Sequence, residues 1–325
     1  MELSNAKEQV IKAGRELSRS GLIARTWGNV SCRTGEDTFV ITASGRDYMT
    51  LTPREIIEVK LSDLSYEGDI KPSSELKAHR EIYMRRPDAQ FIIHTHQNNA
   101  SALSAMGIPR IRFTEHCPGI GYEIVCADYA LPGTDALCGN VAEAFEGYGG
   151  NAVIMKNHGV ICCGSDCESA FETAAALEEV CGRYLEALGI EPWREIPAYL
   201  RRSSDNENGA LWNHSRTVIE FSRGATVLMP YLDDFAQIAG THMKVIDDDE
   251  RKIQEAMEAK TPVLVRGKGA LCIAKGESDM EALSMVIEKN CRAYFAARLT
   301  AARPIKEAEC RYMHDIYVNK YSKLF

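Results

Sequence analysis

One pattern occurs twice in this chain, and it restricts the architecture more than any other feature. The stretch VIMKNHGVICC begins at Val153, and VLVRGKGALCI begins at Val263. A constant offset of 110 residues pairs Val153 with Val263, Gly159 with Gly269 and Cys162 with Cys272. The same offset pairs Glu178 with Glu288, Cys181 with Cys291 and Tyr184 with Tyr294. Each copy reads as apolar strand, glycine turn and long helix. Self-similarity at a fixed offset marks a repeated supersecondary unit, although shared strand-turn-helix physics produces some of the same matches. The echo covers only the later part of the first half. One position departs: His158 aligns with Lys268.

A length of 325 residues suits two domains. The segment IEPWREIPAYLRRSSDNENG carries two prolines and then a polar run, as a linker would. The expected division is a first domain over 1–190, a linker over 191–210, and a smaller, non-catalytic α/β half-repeat over 211–325. Upstream of the echo, NAKEQVIKAGRELSRSGLI has helical apolar spacing with Gly21 as a stop. TWGNVSCRTGEDTFVITASG reads as two strands around a Gly35-Glu36-Asp37 turn, and LTPREIIEV as a helical turn with Thr52 as N-cap and Pro53 first. KPSSELKAHREIYMRRP predicts a helix with Glu75 in its first turn, and AQFIIHTH a strand. QNNASALSAMG and DALCGNVAEAFEGYGG predict helices, and EIVCADYALPG a strand and turn. Strands and helices mix without strict βαβ alternation, which favours a mixed α/β layer fold.

The strand AQFIIHTH carries the first chemical signal. Residues i and i+2 of a strand point to one face, so His94 and His96 can aim both imidazoles at one point. His158 also follows an apolar run, and Gly159 after it lets the backbone turn. Three histidines with an open position describe a catalytic site of the zinc type. Spacing alone does not establish that His158 meets the other two, and histidine pairs also arise in ordinary cores. Glu75 near such a cation can act as acid or base, while acidic residues favour helix N-termini in any case. Ser73 and Ser74 can cap that helix or hold a phosphate there; Gly28-Asn29 and Ser44-Gly45 offer further small polar turns. His79 shares the helix face of Glu75, and a core or exposed role suits it best. His214, His242 and His314 stand outside any motif and read as structural.

The net charge of −8 argues against nucleic acid or an acidic membrane as partner. The N-terminal stretch MELSNAKEQVIKAG lacks the charged and apolar regions of a signal peptide. No run approaches the ~18 apolar residues of a membrane span. A cytoplasmic protein with 11 reduced cysteines is the expectation. Cys162, Cys163 and Cys167 lack the CxxC pairs of a structural zinc site and read as buried thiols.

An ordered set of short motifs then narrows the reading: GNVS at 28–31, ITASG at 41–45, LTP at 51–53, PSSE at 72–75, HTH at 94–96 and NHGVI at 157–161. Together they resemble the class II aldolase/adducin family, particularly its fuculose-phosphate aldolase type, over roughly residues 5–190. The resemblance implies a mixed, largely antiparallel central sheet flanked by helices, followed here by a second, smaller α/β domain like a degenerate half-copy. It implies that His94, His96 and His158 hold a divalent metal, Zn2+ or another such as Mn2+, with Glu75 as the acid/base. Gly28, Asn29, Ser44, Gly45, Ser73 and Ser74 would surround the phosphate of a sugar-phosphate substrate, in a homo-oligomer with sites between subunits.

On that reading the metal stabilises the enediolate left when a ketose phosphate splits into dihydroxyacetone phosphate and an aldehyde. Two other reactions of the same scaffold, epimerisation and decarboxylation, use a similar enolate, and adducin-like members keep the fold without chemistry. The chain departs from the aldolase pattern at Phe113, where a tyrosine that serves a neighbouring subunit is expected. Glu115 is the first candidate to replace it, ahead of His116 and Tyr122.

Overall fold

The computed structural model describes residues 1–23, 27–194 and 210–319. It comprises two compact units, one of Met1–Tyr184 and one that begins at Leu185. The segment expected as a linker falls largely on 195–209, outside the described residues.

In the first unit, α1 (Leu3–Ser20) ends at Gly21 in the left-handed conformation. Next come β1 (Asn29–Arg33), β2 (Thr38–Thr42) and β3 (Ile56–Lys60), an antiparallel meander. Then follow α2 (Leu76–Arg85), β4 (Phe91–Thr95), α3 (Asn98–Ser104), β5 (Arg110–Cys117) and β6 (Gly121–Ala127). The unit closes with α4 (Asp135–Phe145), β7 (Ala152–Met155), β8 (Val160–Gly164) and α5 (Cys167–Ala187). The eight strands form one sheet in the order β3-β2-β1-β4-β8-β7-β6-β5. Every pair is antiparallel except β6 with β7. The fold is thus mixed α/β with a largely antiparallel sheet flanked by helices. β4 and β8 are buried along their whole length, so their apolar residues face packed layers on both sides.

Two local expectations change. LTPREIIEV is not helical throughout: a 3-10 turn at Pro53–Glu55 carries the Thr52/Glu55 capping box, and the β-branched run from Ile56 continues as β3. Glu75 is the N-cap of α2 rather than a first-turn residue, and its carboxylate makes no capping bond.

The second unit contains β9 (Leu211–Asn213), α6 (Arg216–Gly224), β10 (Val227–Leu228), α7 (Asp233–Ala239) and β11 (Met243–Ile246). It continues with α8 (Glu250–Glu258), β12 (Val263–Val265), β13 (Gly269–Cys272), α9 (Glu277–Leu299) and α10 (Glu307–Asn319). Its sheet order, β10-β11-β12-β13-β9, repeats β5-β6-β7-β8-β4 strand for strand. The directions repeat too, including the single parallel pair, β11 with β12. Among the described residues of this unit nothing matches β1, β2, β3 or α2. The register aligns the two sheets residue by residue: His94 pairs with Ile161, and Trp212 pairs with Leu271 at the same place. Trp212 therefore stands where His94 does, and His214 where His96 does. The sequence alone does not show this, because the strand before the echo has only one of the two histidines. Trp212 packs against the apolar cluster of Ala210, Ala256, Val263, Val265 and Leu271.

Candidate active site

His94 lies near the end of β4, a strand hydrogen-bonded to β1 on one side and β8 on the other. His96 follows the strand end, and His158 sits in the hairpin between β7 and β8. All three are buried, at 1%, 5% and 3% exposure. Their Nε2 atoms converge: His94 to His96 is 3.0 Å and His94 to His158 is 3.3 Å. A tetrahedral cation bound at about 2.0–2.1 Å needs ligand nitrogens roughly 3.3 Å apart, so the donor set fits one. Nδ1 of His94 lies 2.9 Å from the Val160 carbonyl, which can only accept. That bond places the ring proton on Nδ1 and leaves Nε2 bare for a metal. The three imidazoles are a group that could hold a metal ion.

The hairpin makes the convergence possible in an unexpected way. The left-handed residue of the turn is Asn157 (φ 60), not Gly159. Gly159 serves by having no side chain: a Cβ there would lie 2.3 Å from the Thr95 carbonyl oxygen and 3.1 Å from Cε1 of His94. Gly28 does the same from β1's side, where a Cβ would meet the His94 carbonyl oxygen at 2.6 Å. Both glycines let neighbouring backbone close on the strand that carries the histidines.

Glu75 completes the cluster. Its Oε2 is 3.4 Å from Nε2 of His94, and its Oε1 is 3.2 Å from Nε2 of His158. Burial opposes its ionisation, but positive charge on His94 and His158, when those rings are protonated, and hydrogen bonds from His158 and the Asn29 amide outweigh burial. Together they hold the carboxyl well below the usual carboxylate range.

Asn29 and Ser73 are buried beside this cluster. Asn29 donates from Nδ2 to Oε2 of Glu75 at 2.6 Å, and Ser73 Oγ accepts from the Glu75 backbone at 3.3 Å. Ala43 bridges to Pro72, and the Ser44 N–H donates to the Lys71 carbonyl at 3.0 Å, so Ser44-Gly45 and Ser73-Ser74 form adjacent turns. Ser74 is exposed.

Glu115 is not brought to this cluster within the chain. β5 lies four strand positions from β4, about 19 Å away at the usual strand spacing. Glu115 there pairs with Arg183 across the surface. Phe113 is buried against Tyr184, with ring centroids 6.3 Å apart. The His116 ring packs edge-on to Tyr122 at 5.5 Å.

The profile of the Class II Aldolase and Adducin N-terminal domain matches residues 8–185. The chain belongs to the class II aldolase and adducin family. An L-fuculose phosphate aldolase of Escherichia coli K12 is 35% identical over 192 residues, 58% of this chain and 87% of that protein. A 5-methylthioribulose-1-phosphate/5-deoxyribulose-1-phosphate aldolase of Rhodospirillum rubrum is 33% identical over 191 residues, 58% of this chain and 84% of that protein. A solved L-fuculose 1-phosphate aldolase superposes with TM-score 0.54 at 30% identity, covering 60% of this chain and 92% of the other. Like these class II aldolases, this chain is an enzyme of the lyase class. No described helix is long and apolar enough to cross a membrane.

Sequence reasoning missed one group of residues here. Asn29 and Glu75 are joined to His79, Ser31 and Tyr83 by a buried hydrogen-bonded chain. The only sequence signal for it was the four-residue spacing of Glu75 and His79.

Proposed function

We propose that this chain is a divalent-metal-dependent aldolase that cleaves a ketose 1-phosphate into dihydroxyacetone phosphate and an aldehyde. The observation that carries the proposal is the convergence of three buried imidazoles, with the Glu75 carboxylate 3.4 Å from Nε2 of His94 and 3.2 Å from Nε2 of His158. His94, His96 and His158 would hold Zn2+ or another divalent ion such as Mn2+. When bound, that ion supplies Lewis-acid stabilisation to the oxyanion of the departing enediolate.

The chain's own residues supply the rest. Glu75, anchored through Oε2 by Asn29, takes or gives the proton at the enediolate carbon. The N-terminus of α2 and the adjacent turns at Gly28-Asn29, Ser44-Gly45 and Ser73-Ser74 receive the phosphate, and so orient the reacting end. The buried setting of the histidines excludes bulk water from the carbanionic intermediate. Glu115 would reach the aldehyde oxygen only from a second copy of the chain, so this reading includes a homo-oligomer. The unit from Leu185 onward is read as a non-catalytic partial copy, because Trp212 and Lys268 stand at two of its three histidine places.

The test is a panel of ketose 1-phosphates, including fuculose, ribulose and 5-deoxyribulose 1-phosphates, with coupled detection of dihydroxyacetone phosphate. Glu75→Gln should lower turnover about 10²–10⁴-fold, and His96→Ala should remove metal and activity together. Full activity in either variant, or no stoichiometric binding of zinc or manganese, would reject the proposal. Carbon dioxide release or epimer formation without dihydroxyacetone phosphate would assign one of the sister reactions instead.

A further inference from the structure

The buried chain beside Glu75 arises from two matched periodicities. Residues 29 and 31 of β1 share one face of the sheet, about 6.6 Å apart along the strand. Residues 75, 79 and 83 share one face of α2 and its N-cap, about 6 Å apart along the helix. The two rows interleave, and each member touches the next: Glu75, Asn29, His79, Ser31, Tyr83. Asn29, Ser31, His79 and Tyr83 are at most 4% exposed.

Each proton in this row has only one place to go. Nδ2 of Asn29, an amide donor, gives its N–H to Oε2 of Glu75 at 2.6 Å. The Asn29 Oδ1 therefore faces Nε2 of His79, and Nε2 must carry the ring proton. Burial is the main cause that pushes His79 down to about 3, so the ring is neutral and holds no second proton. Its bare Nδ1 then accepts from the Ser31 hydroxyl at 2.6 Å. The Ser31 oxygen, its own proton spent, accepts from the Tyr83 hydroxyl at 2.8 Å.

We infer that Tyr83, Ser31 and His79 are positioning residues: through Asn29 they form a one-way row of donors that fixes the carboxylate of Glu75. An asparagine alone can turn its amide over when the partner carboxyl changes from acceptor to donor. Here a turned amide would set its N–H2 against the N–H of His79, and the row resists that. Oε2 is thus kept as the anchored oxygen. Oε1, on the side of His158, is left to exchange a proton with substrate. This inference rests on the acid/base role proposed for Glu75; the donor row itself stands apart from it.

Two measurements on the full chain separate the two. Nitrogen-15 spectra of imidazole-labelled protein should show His79 as a neutral Nε2–H tautomer at pH 7, and Ser31→Ala should shift that ring toward a tautomer mixture. This readout needs no activity. A His79 signal that is Nδ1–H, or unmoved by Ser31→Ala, would overturn the row. With the ketose 1-phosphate turned over fastest, Ser31→Ala should lower kcat about tenfold, the loss expected of one hydrogen bond, with KM and bound zinc unchanged. His79→Leu should lose more, and His79→Gln should regain most of it, because a glutamine amide can donate from the place of Nε2. Equal activity of His79→Gln and His79→Leu in folded protein would overturn the positioning role. Glu75→Gln activity near wild type, with the tautomer as expected, would instead reject only the role of Glu75.

Discussion

Gly159→Ala is the sharpest single-atom test of how the histidines are brought together. The added Cβ would sit 2.3 Å from the Thr95 carbonyl oxygen. It must retreat by about 0.7 Å to reach even 3.0 Å, the closest approach that real side chains show. The oxygen cannot simply step aside, because β4 is paired on both edges. Overpacking of this kind costs about 1–3 kcal/mol. At about 2–4 °C per kcal/mol, melting of the first unit should fall by roughly 2–12 °C. The displaced segment carries His158, and a site tolerates about 0.5 Å of misplacement. Zinc affinity should therefore drop, and turnover should fall on the order of 10²-fold. The control is Gly139→Ala: Gly139 is an exposed interior residue of α4 with open space around its Cβ position. There the same change should stabilise by about 0.5–1 kcal/mol. Calorimetry and zinc titration of chelated protein would follow both variants. If Gly159→Ala melted and bound zinc like the wild type, or if both variants moved in the same direction, the close-approach argument would be refuted.

Three further outcomes follow from the buried groups. His79 is held at about 3 in the folded chain against 6.5 unfolded, so its contribution is complete above about pH 6.5 and is lost as pH falls toward 3. The slope is at most about 1.4 kcal/mol per pH unit, and urea unfolding of chelated protein at pH 7, 6 and 5 should show it in wild type but not in His79→Gln; identical slopes would contradict the assignment. Of the 11 free thiols, only that of Cys167 belongs to a residue that is not buried. Burial pushes even this thiol up to about 11, so mass mapping after brief alkylation at neutral pH should find slow labelling, at Cys167 before any other site. In the second unit, Lys289 and Asp234 form a buried ion pair, and Lys289→Met should destabilise that unit by about 3–5 kcal/mol, read as an earlier transition in denaturant.

How much of this was legible in the sequence differs from element to element. The pair His94 and His96 needed only the two-residue period of a strand. α1 announced itself through apolar spacing and the Gly21 stop, and α2 through the serine pair before it and Pro87 after it. β3 did not, because Thr52-Pro53 gives a true helix-start signal that the chain uses for a single 3-10 turn. β5 has the alternating burial of a half-exposed strand at its start, but the irregular register between Arg112 and Cys117 blurs its period. The donor row depends on pairs up to 52 residues apart, and no local pattern specifies those. Sheet register, rather than residue identity, revealed that His214 occupies the place of His96.

The second sheet also separates two capacities that the first sheet combines. It repeats the strands that bear the histidines, yet among the described residues it has no counterpart of the meander and the helix that bring Asn29 and Glu75. Trp212→His with Lys268→His would join His214 in a second set of three imidazoles. Such a variant should gain a zinc site and no lyase activity. On the reading proposed above, the three histidine places lie in the part of the fold that occurs twice, and the acid/base lies in the part that occurs once among the described residues. On that reading, point substitution alone could add a metal site to the second sheet, whereas an acid/base there would need further strands and a helix as well.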